Sequence, residues 1–354
     1  GAQVEGTEYI DFRLSYDLLV GSPAGGCGIY DPGPPCFGAF IAALREAEYS
    51  LADLHAGRAH KRRRQMVGGR LVEWREPIPF PSSSEWLART SNKVEQEARD
   101  ALSSAGISTA DASSAAAGQL DGRVNSSEAM SGLLDGAGGD ATRLRQLWAA
   151  EQLSHKETVE QTMAAPMTIP ELWQWCAREG VNPWQLRPAR RHAIPKGGAP
   201  GEFRGIDDFR RNGANGTVRS VERTNLPSFL WPWHVCFIMY VHARSLGSSV
   251  TCTLGLDDVK AAYRTVAQCL LAFAFIIYHS FRRKCAVVQR IYGGAFGHMQ
   301  WDKTFSRVPR FACYVCAVLF LGGCSAYIDD IMNVDITEGG DTAQLIINAV
   351  LMAM

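Results

Sequence analysis

The chain has 354 residues, 46% hydrophobic and 20% charged, with 36 Lys+Arg against 36 Asp+Glu. This excludes a collagen, a wholly disordered tail and a disulfide mini-protein. Balanced charge argues against a uniformly basic nucleic-acid binder while leaving room for a local basic groove. Ten cysteines at irregular intervals, mostly inside apolar runs, do not read as a disulfide framework, so an intracellular setting, cytoplasmic or nuclear, is expected. No charged segment leading into an apolar run follows Gly1, and no secretory signal is expected.

Residues 1–100 form a first region of unknown role, punctuated by Gly and Pro (GSPAGGCGIYDPGPPCFG). It carries a basic run, Lys61, Arg62, Arg63 and Arg64, that reads equally as a nuclear signal, an RNA contact or a solvated loop. Residues 101–141 hold 25 Ala, Gly or Ser among 41 positions, no aromatic residue and a single basic one, Arg123, and are expected to be a flexible linker. The texture changes in residues 142–250. TIPELWQWCAREG predicts a helix with Thr168 as its N-cap, Pro170 in the first turn and Gly180 as its stop. From Arg178 to Arg223 there are ten Lys/Arg against five acids, a stretch that suits either a phosphate backbone or a solvated face.

Three uncharged stretches follow, the longest from Phe311 to Ile328. Gly322-Gly323 interrupts it and Asp329-Asp330 closes it, so the spacing predicts a buried helix, a Gly turn and a buried strand; no membrane partner is expected. The lone CxxC, Cys313 to Cys316, lies inside FACYVCAVLFL and reads as helix core, since zinc would need two further ligands that the apolar surroundings do not offer. No GxxxxGK[ST], HExxH or GxSxG is present.

Two acidic signatures remain. TLGLDDVKAAYR, from Thr253, is an apolar strand-like run that delivers Asp257 and Asp258 at its end. AYIDDIMNV, from Ala326, encloses Asp329 and Asp330 between apolar flanks, as a hairpin with carboxylates at its tip would. Taken singly, each has a plainer reading, a helix cap or an exposed turn. Adjacent acids that are buried repel unless a cation holds them, and a divalent metal is the usual compensation.

From about Ile169 to Met354 the sequence resembles the reverse transcriptase domain of retroelements, the RNA-directed DNA polymerases. DVKAAYR resembles that family's motif A and YIDD its motif C. EFRGIDDFR, from Glu202, resembles its fingers signature, and Gly294-Ala295-Phe296-Gly297 lies where motif B precedes a helix, although His298 to Lys303 depart from the usual small-residue pattern. The four elements fall in the family's order, with Gly297 lying 39 and Asp329 lying 71 positions after Asp258. A four-residue YxDD alone occurs often by chance; four elements in order do not.

The resemblance implies a mixed α/β fold in which residues 142–250 are fingers and lead-in helices and residues 251–354 are an antiparallel palm sheet backed by helices. It implies Asp258 and Asp329 as the principal ligands of Mg2+ or Mn2+, Asp330 as the accompanying acid and the Val259 carbonyl as a backbone ligand. It implies Arg204 on the incoming triphosphate, Lys196 on its terminal phosphate, Tyr263 as the sugar gate, and Phe296 and Gly297 beside the nucleotide. The implied reaction joins a dNTP to a primer 3′-hydroxyl on an RNA or DNA template. Two metal ions about 4 Å apart would acidify the nucleophile and hold the leaving oxygens. Tyr327 and Tyr263 favour deoxynucleotides over the ribonucleotides of viral RNA polymerases. The chain is expected to stop inside the domain, after motif C and before a thumb, which would leave it poorly active. The alternative is a catalytically silent, nucleic-acid-binding remnant of a retroelement polyprotein.

Overall fold

The computed structural model describes residues 51–118, 125–197, 201–217, 230–258, 262–265, 271–298, 301–320, 323–327, 330–336 and 342–353. The elements in chain order are β1 (Arg58–Val67), β2 (Arg70–Pro79), α1 (Ser83–Ala105), α2 (Thr109–Ala116), α3 (Ser126–Asp135) and α4 (Thr142–Val159). Next come β3 (Met167–Thr168), α5 (Ile169–Glu179), β4 (Ala189–Pro195), β5 (Phe203–Asp208), α6 (Trp231–Ser245) and β6 (Cys252–Asp258). Last are β7 (Phe275–Ser280), β8 (Cys285–Arg290), α7 (Trp301–Phe320), β9 (Gly323–Tyr327), β10 (Asp330–Ile336) and α8 (Thr342–Ala353). The fold is mixed α/β, and among the described residues the strand pairs are antiparallel except β4 with β7.

Contacts group the described residues of 51–217 with those of 263–298 as one unit, and those of 230–262 with 301–353 as another. The grouping is interleaved along the chain, so it does not coincide with the expected boundary between residues 250 and 251.

In the first unit five strands run in the order β3-β8-β7-β4-β5. β7 is the central strand because FIIYHS is buried at every position, and only a strand covered on both faces accommodates such an unbroken run. Trp175 of α5 meets Phe275 edge to face at 5.5 Å, and Trp148 of α4 meets Phe281 at 6.2 Å. The predicted helix over Ile169–Glu179 is present with the expected ends. Thr168 and Glu171 form a reciprocal capping box, and Gly180 takes a left-handed φ of 65°.

Residues 101–141 are not a flexible linker where they are described. The end of α1, then α2 and α3, pack with the start of α4 around Ala98, Ala101, Leu102, Ala105, Ala112, Ala115, Ala116, Met130, Leu134 and Leu144. Alanine is the strongest helix former and its small side chain lets helix axes approach closely. Ser108 and Asn125 cap α2 and α3, and Gly106 ends α1 at a φ of 69°.

The basic stretch is also only partly a surface. Arg187, Arg190 and Arg191 are buried. The run at residues 61–64 lies on β1, paired with β2.

Three histidines, His192, His279 and His298, are pushed down to about 4 by burial. A histidine held neutral below its ordinary value near 6.5 contributes stability that is complete above 6.5 and lost as pH falls through the folded value. The unfolding free energy is therefore expected to drop between about pH 6.5 and about pH 4. A His279→Phe, His298→Phe double variant followed by urea unfolding across that window should lose most of the slope; an unchanged slope would remove these groups from the account.

In the second unit β6, β10 and β9 form a three-stranded sheet in that order. α7 and β9 realise the predicted helix and strand within Phe311 to Ile328; Gly322 of the predicted turn lies outside the described residues. Cys313 and Cys316 are buried one turn apart in the packed face of α7, as part of its core. Among the described residues no helix is long and apolar enough to cross a membrane.

Candidate active site

β6 ends at Asp258 and β10 begins at Asp330, and the ladder sets these two residues directly opposite each other. Tyr327 pairs with Asp330 on the other side, so β9 and β10 are joined by the two residues 328–329 alone. The predicted hairpin is thus found as the β9–β10 pair, with Asp330 as the first residue of its second strand. Asp329 and Val259 themselves lie outside the described residues.

Side chains alternate between faces along a strand, and directly paired residues share a face. Two faces of the sheet follow. The first bears Asp257, Gly255, Ile331, Asn333, Cys324 and Ala326, and α7 and α8 cover it through Cys313, Cys316 and Ile347. There Asp257 accepts hydrogen bonds from Gln344 Nε2 of α8 at 2.6 Å and Asn333 Nδ2 at 3.4 Å. The second face bears Asp258, Asp330, Tyr327, Leu256, Leu254 and Val334. α6 covers its far end, where Met239 Sδ lies 3.9 Å from Cys252 Sγ and Val235 stands against Gly323. Toward the acids the face is open, with Leu256 67% and Tyr327 45% exposed.

The register therefore separates the two adjacent acids of β6. Asp257 is tied to the helix side, and Asp258 faces the open side with Asp330. Carboxylates directly opposite each other across a ladder are destabilising without a cation. An all-oxygen pair suits a hard divalent ion such as Mg2+ or Mn2+, so the donor chemistry fits the implied metal. Among the described residues no three acids, histidines or cysteines cluster closely enough to hold a metal by themselves.

The remaining predicted residues belong to the other unit. Tyr263, in a single turn at Ala262–Thr265, meets Phe296 edge to face with ring centroids 5.0 Å apart. Gly297 follows at a φ of 103°, and a Cβ there would lie 2.3 Å from the Asp207 carbonyl oxygen. Asp207 N–H donates to the Phe296 carbonyl at 3.0 Å and Asn215 Nδ2 donates to that of Gly297 at 2.8 Å, so this loop is pinned to the end of β5. Gly297→Ala combines a strained φ with a backbone clash and is expected to cost about 1–3 kcal/mol, read as a lowered urea midpoint.

Arg204 is exposed on β5, opposite Ile194 of β4. Lys196, just past the end of β4, is exposed and pairs with Glu202 at 2.9 Å. The structure thus brings together Asp258 with Asp330, and Tyr263 with Phe296 and Gly297; Arg204 and Lys196 lie on the β4–β5 pair.

A buried charge cluster escaped sequence reasoning. Glu157, from α4, receives both guanidinium nitrogens of Arg191, at 2.7 and 3.1 Å, and Arg264 Nη2 at 2.9 Å. Asp207, 1% exposed, lies 3.5 Å from Arg264 and 4.0 Å from Arg191. Arg264 and Asp207 stand inside two of the resemblance-bearing segments, yet both are interior. Nothing local in the sequence marks Glu157, because its partners are between 34 and 107 positions away.

Compared with known proteins, the chain matches no family model and no curated sequence.

Proposed function

We propose that this chain is part of an RNA-directed DNA polymerase, with the β6–β10–β9 sheet as its palm and the five-stranded unit as its fingers. The observation that carries the reading is the pairing of Asp258 with Asp330 on the open face of a three-stranded antiparallel sheet whose other face is backed by α7 and α8. Two acids separated by 72 positions meet there at one end of the paired strands β6 and β10.

In this reading Asp258 and Asp330, with Asp329, hold the metal. A divalent ion bound there would acidify the primer 3′-hydroxyl and offset charge on the phosphates. The chain's own residues do the rest. Asp258 and Asp330 anchor the reacting end on a rigid ladder. Arg204 offers phosphate oxygens a planar set of donors that Lys would not reproduce. On the five-stranded unit, Tyr263, its ring edge to face with that of Phe296, is the residue assigned to rejecting a 2′-hydroxyl, and the Cβ-free Gly297 allows close approach to the Asp207 backbone.

The test is incorporation of a single dNTP onto a primer annealed to RNA, with Mg2+ and then with Mn2+. Metal-dependent addition supports the polymerase reading. Salt-sensitive binding of the primer-template without any addition would instead favour a nucleic-acid-binding protein that has lost its chemistry.

A further inference from the structure

Arg264 occupies an unusual place between the two aromatic residues assigned to the nucleotide. It directly follows Tyr263 in the chain, and its Nη1 donates to the Gly294 carbonyl at 3.0 Å, two residues before Phe296. One guanidinium is therefore attached to both segments that carry the facing rings. Its side chain is 3% exposed. A long, flexible side chain holds one geometry in the interior only where its other nitrogen is fixed. Here Glu157 supplies the nearer fixed point, at 2.9 Å to Arg264 Nη2, with the Asp207 carboxylate behind it at 3.5 Å. Glu157 is itself held by a two-bond fork from Arg191 of β4, and so is tied to the central part of the sheet.

We infer that Glu157 is a positioning residue: acting through Arg264, it sets the relative placement of the Tyr263 and Phe296 rings. Glu157 touches neither ring in any contact described above, and α4 ends 104 positions before Tyr263 and 137 before Phe296. Its consequence for substrate choice rests on the polymerase reading. If Tyr263 discriminates against a 2′-hydroxyl, then Glu157 sets how sharply it does so, and the specificity-determining machinery extends back into the helical region before the fingers signature.

The experiment uses the full chain labelled with 3-fluorotyrosine, the Tyr263 fluorine signal being identified by its loss in Tyr263→Phe. Glu157→Gln keeps the shape and removes the charge. It is expected to shift or broaden the Tyr263 signal while leaving that of Tyr240, on α6, where it was. Arg264→Lys keeps the charge facing Glu157, drops the fork to Gly294, and should move the same signal; it carries the test if Glu157→Gln does not fold. Single-nucleotide incorporation then reads deoxy-over-ribo selectivity, expected to fall roughly ten- to hundredfold in Glu157→Gln, as small misplacements of a positioning contact do.

A Tyr263 signal unmoved in both folded variants would overturn the inference. So would unchanged selectivity in Glu157→Gln where Tyr263→Val loses it. If the signal moves but the wild-type chain adds no nucleotide, the positioning contact stands and it is the polymerase reading that fails.

Discussion

Asp258→Asn and Asp330→Asn are each expected to reduce nucleotide incorporation by at least about a hundred- to a thousandfold, while Asp257→Asn leaves most of it. Loss of one carboxylate from a metal site forfeits several kcal/mol of charge stabilisation in the transition state, and each 1.36 kcal/mol is a factor of ten. The contrast between neighbours is the stronger half of the prediction. Asp257 and Asp258 are adjacent in sequence and identical in type, but strand alternation puts Asp257 against Gln344 and Asn333 on the helix side. Asp257→Asn should lower thermal stability modestly, because a charge-assisted bond from Gln344 is weakened, without touching the chemistry. Incorporation rates under single-turnover conditions, with saturating Mg2+, give the answer. Equal losses at positions 257 and 258 would show that the face assignment is wrong.

Arg187→Met should cost about 3–5 kcal/mol of unfolding free energy, the second large effect. Arg187 is fully buried, and its named partners are main-chain carbonyls and a hydroxyl. Nε donates to Asn212 O at 2.8 Å, and Nη1 donates to Pro81 O and to Ser83 Oγ, both at 3.1 Å. Its guanidinium carbon lies 4.9 Å from the Phe80 ring centre and 5.3 Å from that of Trp86. Burial pushes it down to about 10, so it remains protonated at neutral pH. Methionine fills the volume but orphans the carbonyls of two separate segments. Arg187→Lys should recover only part of the loss, since an ammonium cannot match the planar fork. Urea unfolding measures both, and a cost below about 1 kcal/mol for the methionine variant would contradict this account.

How far the sequence revealed this architecture depended on the range of the interactions involved. The helix at Ile169–Glu179 was legible because its caps, Thr168, Glu171 and Gly180, are local. Helix α7 and strand β9 were legible because Gly322-Gly323 breaks an apolar run. Strand β6 and the β9–β10 hairpin were legible from apolar residues that end in acids, and their order along the chain suggested that they meet.

The region 101–141 misled because Ala, Gly and Ser were counted together. Alanine and glycine stand at opposite ends of the helix-propensity scale. The residues that matter are placed at helical spacing, with Ala98, Ala101, Leu102 and Ala105 on one buried stripe. Arg187 and Arg191, part of a stretch that suits a phosphate backbone or a solvated face, proved interior for a different reason. An arginine looks the same in sequence whether it faces phosphate or a buried carboxylate, and Glu157 reaches its partners only after the sheet has formed. Of the candidate site, the meeting of Asp258 with Asp330 was legible through the resemblance, and the support beneath the aromatic pair was not.

The interleaving of the two units has a consequence for how this chain is made. β6 lies between β-strands of the other unit along the chain, and its sheet partner, β10, starts 72 residues later. On a ribosome β6 therefore emerges long before the strand that covers its edge, with Leu254 and Leu256 in line and nothing yet to pair with. The sheet that carries the acids is a late, long-range event, and long-range strand pairing is slow and prone to aggregation. A nascent-chain chaperone that shields an exposed strand edge would act most usefully during synthesis of the residues between Asp258 and Asp330.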